Sequence, residues 1–409
     1  MPRPKIDMIE ATRLTRLGRL TEAMAVLRGT PIVGTATAPN DRDAGQKPKQ
    51  GGSHSIDMVP PTIETGNAWT APMAGEGSTS LSARVDSKCP PPSSKYLDAF
   101  RKFIPAGIHT RSTKHAANAV PSASVGSFEE YSFANEAGMR KYKLYVPRHS
   151  HGEALSLVVM LHGCTQSPDD FAVGTRMNEL AEEQRFMVAY PAQPQSANPS
   201  KCWNWFSVAD QRRDHGEPSL IAGITRQIIR DFPVELGRVY VAGLSAGGAT
   251  AAIMGETYPD LYAAVGVHSG LACGAAQDVT TAFLAMRRGG AEVRAGKAAT
   301  IVPTIVFHGD ADRTVNPANG DQVIAQAKGG RNLTATVVAG KAPGGISYDL
   351  TVQTDGTGRS ILEQWVLHGA GHAWSGGSEA GSYTEPRGPD ASREMVRFFR
   401  QHSPRPCAL

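Results

Sequence analysis

The sequence predicts an α/β fold with a mostly parallel sheet and helices on both faces. From residue 126 onward, strand-like apolar runs alternate with helix-like segments, which is typical of such sheets. The continuous apolar run "LSLVVMLHG" (155–163) ends in glycine, as a buried central strand does. The run "YVAGLSAGG" (240–248) is a tight strand-to-helix corner. In a parallel sheet of this kind, reactive side chains gather where strands end at their carboxyl side.

The elements of this region can be placed in order. An antiparallel hairpin is expected over 128–147, turning near Gly138, because the pattern alternates on both sides of a glycine. A helix over 171–184 and a strand over 186–191 follow the central strand. The remaining segments are predicted as helices at 218–232, from 246, near 279–288, near 318–328 and at 390–402, and as strands at 238–243, 262–270 and 304–309 and within 333–339, 347–353 and 361–368.

Composition divides the chain into three regions. Residues 1–30 are predicted to contain an amphipathic helix, since apolar side chains recur at roughly helical spacing over 7–28. This helix either docks on its own catalytic domain or binds a partner or granule surface, unless the segment is weakly ordered. Residues 31–125 are rich in Gly, Pro, Ser and Thr without periodicity, which predicts a mostly disordered linker. Residues 126–409 form the predicted catalytic domain.

Charge and composition exclude several function classes. A net charge of +4 over 409 residues is too weak to predict binding to nucleic acid or to an anionic membrane. No window holds the roughly 18–20 apolar residues of a membrane span, and the segment 1–20 lacks the apolar core of a secretory signal, so a cytoplasmic location is expected. The five cysteines show no CxxC spacing, and the His/Asp alternation over 308–312 has no second ligand cluster nearby. Neither a metal nor an organic cofactor is predicted.

The strand-to-helix corner carries the first candidate catalytic residue. Residues 243–247, "GLSAG", match G-x-S-x-G, the turn that presents a nucleophilic serine at the end of a strand. Ser245 then follows an apolar strand and opens a helix, whose N-terminus supplies positive potential. The alternative is a tight turn that merely requires glycines.

A nucleophilic serine needs a base, and the base needs an acid that orients it. In this architecture both follow the serine along the chain, the acid before the histidine. His372 lies on a glycine-rich loop beyond a strand and is favoured as the base over His368, which is still at the strand terminus. Asp312 lies further into its loop than Asp310 and is favoured as the acid, whereas Asp310 could cap the turn.

Two backbone N–H groups are candidates for binding the oxyanion of an acyl-transfer reaction. The first belongs to Ala246, the residue after the serine. The second belongs to Cys164, in the segment "MLHGCTQS" (160–167) that ends the central strand. The alternative for that segment is a simple β-turn.

Six motifs together resemble a known family. In chain order they are "LHGCTQSPDDF", "AYPAQPQSANPSKCWNWF", "GLSAGG", "VGVHSG", "FHGDADRTVNP" and "GAGHAWSGG". They look like the poly(3-hydroxybutyrate) depolymerase family of esterases, which also includes feruloyl and acetylxylan esterases. The resemblance spans residues 128–402. It implies an α/β-hydrolase fold, a triad of Ser245, Asp312 and His372, and a position for Cys164 in the oxyanion loop.

The resemblance also implies features around the cleft. In relatives the two cysteines that correspond to Cys164 and Cys202 are paired, although a reducing cytosol would oppose such a disulfide. Trp203, Trp205 and Trp374 would flank the cleft and cover an apolar polymer or an aromatic acyl group. The alternative for these rings is a place in the core.

The function expected from these observations is that of a serine carboxylesterase acting on poly- or oligo(3-hydroxybutyrate). A feruloyl or acetylxylan esterase is the enzymatic alternative. A granule- or partner-binding protein with a vestigial hydrolase domain, anchored through residues 7–28, is the alternative from another class. The family's exported depolymerases carry a signal peptide and a separate polymer-binding domain, neither of which this sequence shows. An extracellular location is therefore the alternative that the resemblance implies.

Overall fold

A computed structural model describes residues 126–148, 152–290 and 302–402 of the chain. The predicted helix within 1–30 and the predicted linker at 31–125 lie outside the described residues. The described part forms a ten-stranded sheet with helices packed on it, together with a second, two-stranded sheet.

The strands of both sheets are numbered along the chain. Those of the large sheet are β1 (Ser127–Asn135), β2 (Gly138–Val146), β3 (Leu155–Leu161), β4 (Met187–Pro191), β5 (Val234–Leu244), β6 (Ala264–His268), β7 (Thr304–Gly309), β8 (Thr334–Lys341), β9 (Ser347–Thr354) and β10 (Ser360–Leu367). The small sheet pairs β11 (Trp374–Ser375) with β12 (Thr384–Glu385).

The large sheet is parallel at its centre and antiparallel at both ends. Its order is β1-β2-β4-β3-β5-β6-β7-β10-β9-β8. The pairs from β4 through β3, β5, β6 and β7 to β10 are parallel. The pairs β1–β2, β2–β4, β10–β9 and β9–β8 are antiparallel. The predicted hairpin is confirmed, with Asn135 opposite Gly138 across its turn.

Helices lie between strands of the large sheet, and the last one follows the small sheet. They are α1 (Pro168–Thr175), α2 (Met177–Gln184), α3 (Gly216–Asp231), α4 (Ala246–Thr257), α5 (Val279–Arg288), α6 (Ala318–Lys328) and α7 (Ala391–Arg400), with a 3-10 turn at Val208–Gln211. Among the residues that the structure describes, no helix combines the length and the apolar composition that crossing a membrane requires.

One predicted helix is two helices in the structure. The segment 171–184 belongs to two helices, α1 and α2, which meet at Arg176. Arg176 has φ 55°, a left-handed conformation that ends α1 and starts α2. A left-handed residue at the end of a helix is usually glycine or asparagine, and an arginine gives no such signal. The spacing of apolar residues alone therefore did not predict the break.

The central strand explains why its sequence is apolar throughout. In β3, Leu157 and Val159 contribute to the core on one face of the sheet, and Val158 and Met160 to the core on the other. All four are 0–2% exposed. Burying such a side chain contributes about 1.5–3 kcal/mol, so a strand with helices on both faces gains from apolar residues at every position.

Candidate active site

Three predicted site residues follow strands that are neighbours in the sheet. Ser245 comes directly after β5, Asp312 lies three residues beyond β7, and His372 lies five residues beyond β10. Strands β5, β6, β7 and β10 are adjacent and parallel. Their carboxyl ends therefore lie along the same edge of the sheet, where α/β proteins place reactive groups.

Ser245 occupies a strained corner between β5 and α4. Its backbone has φ 58° and ψ −118°, and its N–H donates to the carbonyl oxygen of His268 at 2.9 Å. A non-glycine residue in such a conformation costs on the order of 1–3 kcal/mol and persists where its surroundings fix it, often at functional sites. Ser245 is also the N-cap of α4, so the positive end of that helix lies beside it.

The glycines of the corner allow α4 to approach the end of β3. A Cβ built on Gly247 would lie 2.0 Å from the carbonyl oxygen of Leu161 and 2.6 Å from that of His162. One built on Gly243 would lie 2.4 Å from the backbone of Gly247. Any side chain at either position would force the serine corner away from the loop that follows β3.

His372 and Asp312 form a close pair. His372 Nδ1 lies 2.6 Å from Asp312 Oδ2, and the Asp312 side chain is fully buried. The other carboxylate oxygen, Oδ1, accepts from the N–H groups of Thr314 at 2.8 Å and Val315 at 2.9 Å. With Nδ1–H donating to the carboxylate, the lone pair of the His372 ring is on Nε2, as a general base requires.

A second histidine, His308, also contacts Asp312. Its Nε2 donates to the Val315 carbonyl oxygen at 2.9 Å and lies 3.5 Å from Asp312 Oδ2. Burial on its own raises the pKa of Asp312, but hydrogen bonds from His308 and His372 outweigh it and hold that pKa well below its ordinary value. The carboxylate is thus kept ionised. The sequence analysis considered His308 only as part of a metal ligand pattern and missed this contact.

The alternative acid and base form their own pair on the surface. His368 Nδ1 lies 2.9 Å from Asp310 Oδ2, and His368 Nε2 lies 3.3 Å from Asp349 Oδ2. The three side chains are between 41% and 46% exposed. Asp310 thus contacts His368 and the N–H of Gly369, at 2.6 Å, while Asp312 contacts His372.

The loop after β3, residues 162–166, lies against the serine corner. We call it the oxyanion loop. A Cβ on Gly163 would be 3.5 Å from the carbonyl oxygen of Leu244, the residue before the serine. The N–H of Gly163 donates to Gln166 Oε1 at 2.8 Å, and that of Thr165 to the Ser200 carbonyl oxygen at 2.7 Å. The Cys164 N–H lies between these two anchored positions.

His162 fixes the start of the oxyanion loop, and the sequence analysis did not single it out. Its Nδ1–H donates to the Gly163 carbonyl oxygen at 2.7 Å, and its Nε2 accepts from the Gln193 N–H at 3.1 Å. Burial lowers the pKa of His162 to about 4, so the ring is neutral and can accept on one nitrogen while it donates on the other.

Cys164 and Cys202 form a disulfide, the pairing that the family resemblance implies. The bond ties the oxyanion loop to the segment that carries the CWNW motif. The free thiol of Cys273 is elsewhere, with its pKa raised by burial to about 12, and it is therefore unreactive.

The three tryptophans lie in the core rather than on an exposed cleft wall. Trp203, Trp205 and Trp374 are 0%, 3% and 1% exposed. Trp203 Nε1 donates to the His162 carbonyl oxygen at 3.1 Å, and Trp374 Nε1 to Ser392 Oγ at 3.1 Å. The burial of the three rings favours the alternative of a place in the core, and their contact with a substrate stays a prediction.

No metal ligand cluster accompanies the site. Within residues 126–148, 152–290 and 302–402, no group of three or more His, Cys, Asp or Glu side chains is arranged to hold a metal ion. The groups described above at this edge of the sheet are a hydroxyl, a paired imidazole and backbone donors.

Comparison with known proteins identifies the class. Residues 140–343 match the family model described as Esterase PHB depolymerase. The fold is that of the α/β-hydrolases: the acetyl xylan esterase of Aspergillus awamori superimposes with a TM-score of 0.54 at 21% identity, covering 68% of this chain and 100% of that one. The chain belongs to the Esterase PHB depolymerase family.

Two relatives show the breadth of that family. Poly(3-hydroxyalkanoate) depolymerase C of Paucimonas lemoignei is 30% identical over 266 residues, which are 62% of this chain and 63% of the relative. A probable acetylxylan esterase A of Neosartorya fischeri is 29% identical over 203 residues, 46% of this chain and 54% of the relative. The chain thus spans less than two thirds of the length of either relative.

Proposed function

We propose that this chain is a serine carboxylesterase with Ser245 as nucleophile, His372 as general base and Asp312 as the acid that orients it. The observation that carries the proposal is the pairing of His372 with the buried carboxylate of Asp312, at the sheet edge where Ser245 occupies its strained corner. A histidine held in one tautomer by an ionised carboxylate is what activates a serine hydroxyl.

The reaction proceeds in two halves. His372 Nε2 takes the hydroxyl proton while Ser245 Oγ attacks the ester carbonyl carbon, and the N–H groups of Cys164 and Ala246 donate to the resulting oxyanion. The intermediate collapses, the alcohol leaves with the proton from His372, and an acyl-enzyme remains. Water then gives a proton to His372 and attacks the acyl carbon. The bond to Ser245 Oγ breaks, the oxygen takes that proton back from His372, and the acid is released. These steps use only the three side chains, the two backbone N–H groups and water.

For the substrate we propose poly- or oligo(3-hydroxybutyrate). The support is the match to the family model and to the Paucimonas lemoignei relative, which is named a poly(3-hydroxyalkanoate) depolymerase. The second candidate is a carbohydrate-linked ester, acetylxylan or a feruloyl ester, and it is favoured by the acetylxylan esterase relative. Attachment to a polymer granule through residues 7–28 remains an additional proposal, since that segment lies outside the described residues.

The disulfide bears on where the enzyme acts. Disulfides persist in oxidising compartments and are rare in the cytosol. The Cys164–Cys202 bond therefore supports the extracellular alternative over a cytoplasmic location. Alkylation of the protein in its native compartment, followed by mass spectrometry of the peptides with Cys164 and Cys202, tests this. Two unalkylated, disulfide-bonded cysteines support export, and two alkylated thiols support the cytoplasm.

The function is tested by three hydrolysis assays run side by side. Purified full-length protein is given 3-hydroxybutyrate trimer, acetylxylan and ethyl ferulate, and the released acid is measured. The proposal expects the highest kcat/KM on the trimer and no turnover of any ester by Ser245→Ala. Turnover that survives Ser245→Ala rejects the mechanism, whereas a preference for acetylxylan or ferulate rejects only the substrate.

A further inference from the structure

We infer that Glu217 is a positioning residue for the oxyanion loop: its buried carboxylate fixes residues 198–204, the segment to which that loop is fastened. We call this stretch the 198–204 segment. The inference rests on the proposed function, because the Cys164 N–H acts as an oxyanion donor only in that reaction. Glu217 lies in the first turn of α3, apart from the three residues of the proposed triad.

Glu217 is a buried carboxylate that accepts from several donors. It is 4% exposed. Its oxygens accept from the backbone N–H of Asn204 at 2.7 Å, from Asn204 Nδ2 at 2.8 Å, from Gln193 Nε2, and from an Arg140 guanidinium nitrogen at 3.4 Å. Its own N–H donates to Asp210 Oδ1 at 2.8 Å. Burial raises the pKa of Glu217 to about 7. Above that pH the ionised group has two acceptor oxygens and can satisfy all these donors, whereas an amide has only one.

One route from Glu217 to the oxyanion loop runs through Gln193. The side-chain amide of Gln193 donates both to Glu217 and to the Cys202 carbonyl oxygen, the latter at 2.9 Å. The backbone N–H of the same residue donates to His162 Nε2, and the His162 ring in turn donates to the Gly163 carbonyl oxygen. A shift of Gln193 would therefore displace His162, at the start of the oxyanion loop, and Cys202, which is bonded to Cys164 in that loop.

A second route runs through the 198–204 segment itself. The disulfide joins Cys202 to Cys164, and the Ser200 carbonyl oxygen accepts from the Thr165 N–H at 2.7 Å. These two attachments hold the residue that carries the proposed oxyanion donor and the residue after it. The position of the Cys164 N–H thus follows the position of this segment.

The far end of the segment is held by Glu217. The Trp203 indole N–H donates to the His162 carbonyl oxygen, and Asn198 Nδ2 donates to Asn204 Oδ1 at 2.9 Å. Asn204 then gives two hydrogen bonds to Glu217. Asn204 therefore binds both Asn198, at the other end of the segment, and Glu217, on α3.

The substitution Glu217→Gln tests this arrangement because it keeps the side chain's size. Its NH₂ group would face donors from Asn204 and Gln193, so at least one buried donor loses its acceptor. A misplacement of about 1 Å in a catalytic group can cost on the order of 100-fold in rate, and loss of one oxyanion donor about 100- to 1,000-fold. We expect kcat on a soluble ester to fall about 10- to 100-fold while KM changes less than about threefold.

A second readout separates positioning from stability. An alkylboronic acid adds to an active serine and places an oxygen where the oxyanion forms, so its affinity reports on the donors. The inhibition constant of the boronic acid should be higher for Glu217→Gln than for wild type, by a factor similar to the loss of kcat.

Thr225→Val, on the same helix, is the matched control. It removes a buried hydroxyl that donates to the Ile221 carbonyl oxygen at 2.9 Å and contacts Tyr262 Oη at 2.8 Å. We expect it to lower the melting temperature and leave kcat and boronate affinity unchanged.

The outcomes distinguish this inference from the proposed function. If Glu217→Gln retains kcat and boronate affinity within twofold of wild type, or if Thr225→Val loses both to the same degree, Glu217 has no positioning role. If Glu217→Gln does not fold, Asn204→Ala carries the test, since it removes the side-chain hydrogen bond to Glu217 together with the one from Asn198. A kcat loss of about 3- to 10-fold at constant KM supports the role, and no loss overturns it. A Ser245→Ala protein that hydrolyses the ester as wild type does would overturn the proposed function and this inference with it.

Discussion

His372 Nδ1 lies 2.6 Å from Asp312 Oδ2, while the neighbouring His368 is paired with Asp310 at 2.9 Å. The two His–Asp pairs join the same two loops, yet only the first has a fully buried carboxylate. Burial excludes water from the hydrogen bond and strengthens it, whereas the exposed pair is screened by solvent. The structure therefore separates two combinations that the sequence alone left open.

The two pairs should respond differently to the same substitution. Asp312→Asn should lower kcat about 10⁴-fold, because an amide no longer holds the His372 ring in the tautomer with its lone pair on Nε2. Asp310→Asn is the matched control and should lower kcat less than about tenfold, since its partner is His368. Steady-state kinetics on p-nitrophenyl butyrate measure both. A larger loss in Asp310→Asn than in Asp312→Asn would mean that the acid has been assigned to the wrong residue.

Buried histidines should make the fold sensitive to mild acid. Burial lowers the pKa of His162 to about 4 and that of His268 to about 3. Between these values and the ordinary pKa of about 6.5, the unfolded chain binds protons that the folded one does not, so each histidine's contribution is complete above pH 6.5 and is lost as the pH falls. The free energy of unfolding should fall by about 1.4 kcal/mol per pH unit for each.

Urea unfolding at pH 7, 6 and 5 measures this dependence. His162→Gln removes one of the two groups, so its free energy of unfolding should change less steeply with pH than that of wild type. Equal slopes for the two proteins would show that folding does not lower the pKa of His162.

The disulfide should matter for both stability and rate. Cys164 and Cys202 are 38 residues apart, and closing a loop of that length stabilises a fold by about 3–4 kcal/mol in the chain-entropy treatment. Cys202→Ser should therefore lower the melting temperature, and it should also lower kcat because the oxyanion loop loses its covalent anchor. Cys273→Ser, which removes a free thiol, is the control. Full activity of a Cys202→Ser protein would show that the hydrogen bonds alone hold the loop.

Trp374 should act on stability rather than on substrate binding. The ring is 1% exposed and stacks on His268 with ring centroids 5.2 Å apart. Trp374→Phe removes the indole N–H that donates to Ser392 Oγ, so the free energy of unfolding should fall by about 1–3 kcal/mol. KM for 3-hydroxybutyrate trimer should stay within about twofold. A KM increase of tenfold or more with an unchanged free energy of unfolding would show that Trp374 contacts the substrate.

The sequence predicted the parts of the molecule that depend on local pattern. The run 304–309 was placed correctly as β7, because a short apolar run before glycine leaves few alternatives. The serine corner was recognised because only small residues fit where Gly247 meets Leu161. The break at Arg176 was missed because no glycine or proline marks it.

Long-range contacts could not be predicted in this way. The role inferred for Glu217 depends on partners such as Gln193 and Asn204, which other segments bring to it. The burial of Trp203 likewise depends on how the 198–204 segment folds back on His162. The spacing of residues along the chain does not predict these contacts, because each forms by packing between separate segments of the chain.

The most direct test of the central claim is to identify the residue that a fluorophosphonate labels. Such reagents phosphonylate an activated serine, and peptide mass spectrometry locates the adduct. Wild-type protein should carry one adduct, on the peptide that contains Ser245, and His372→Ala should react far more slowly. An adduct on another residue, or ester hydrolysis that continues while Ser245 is fully labelled, would contradict the account.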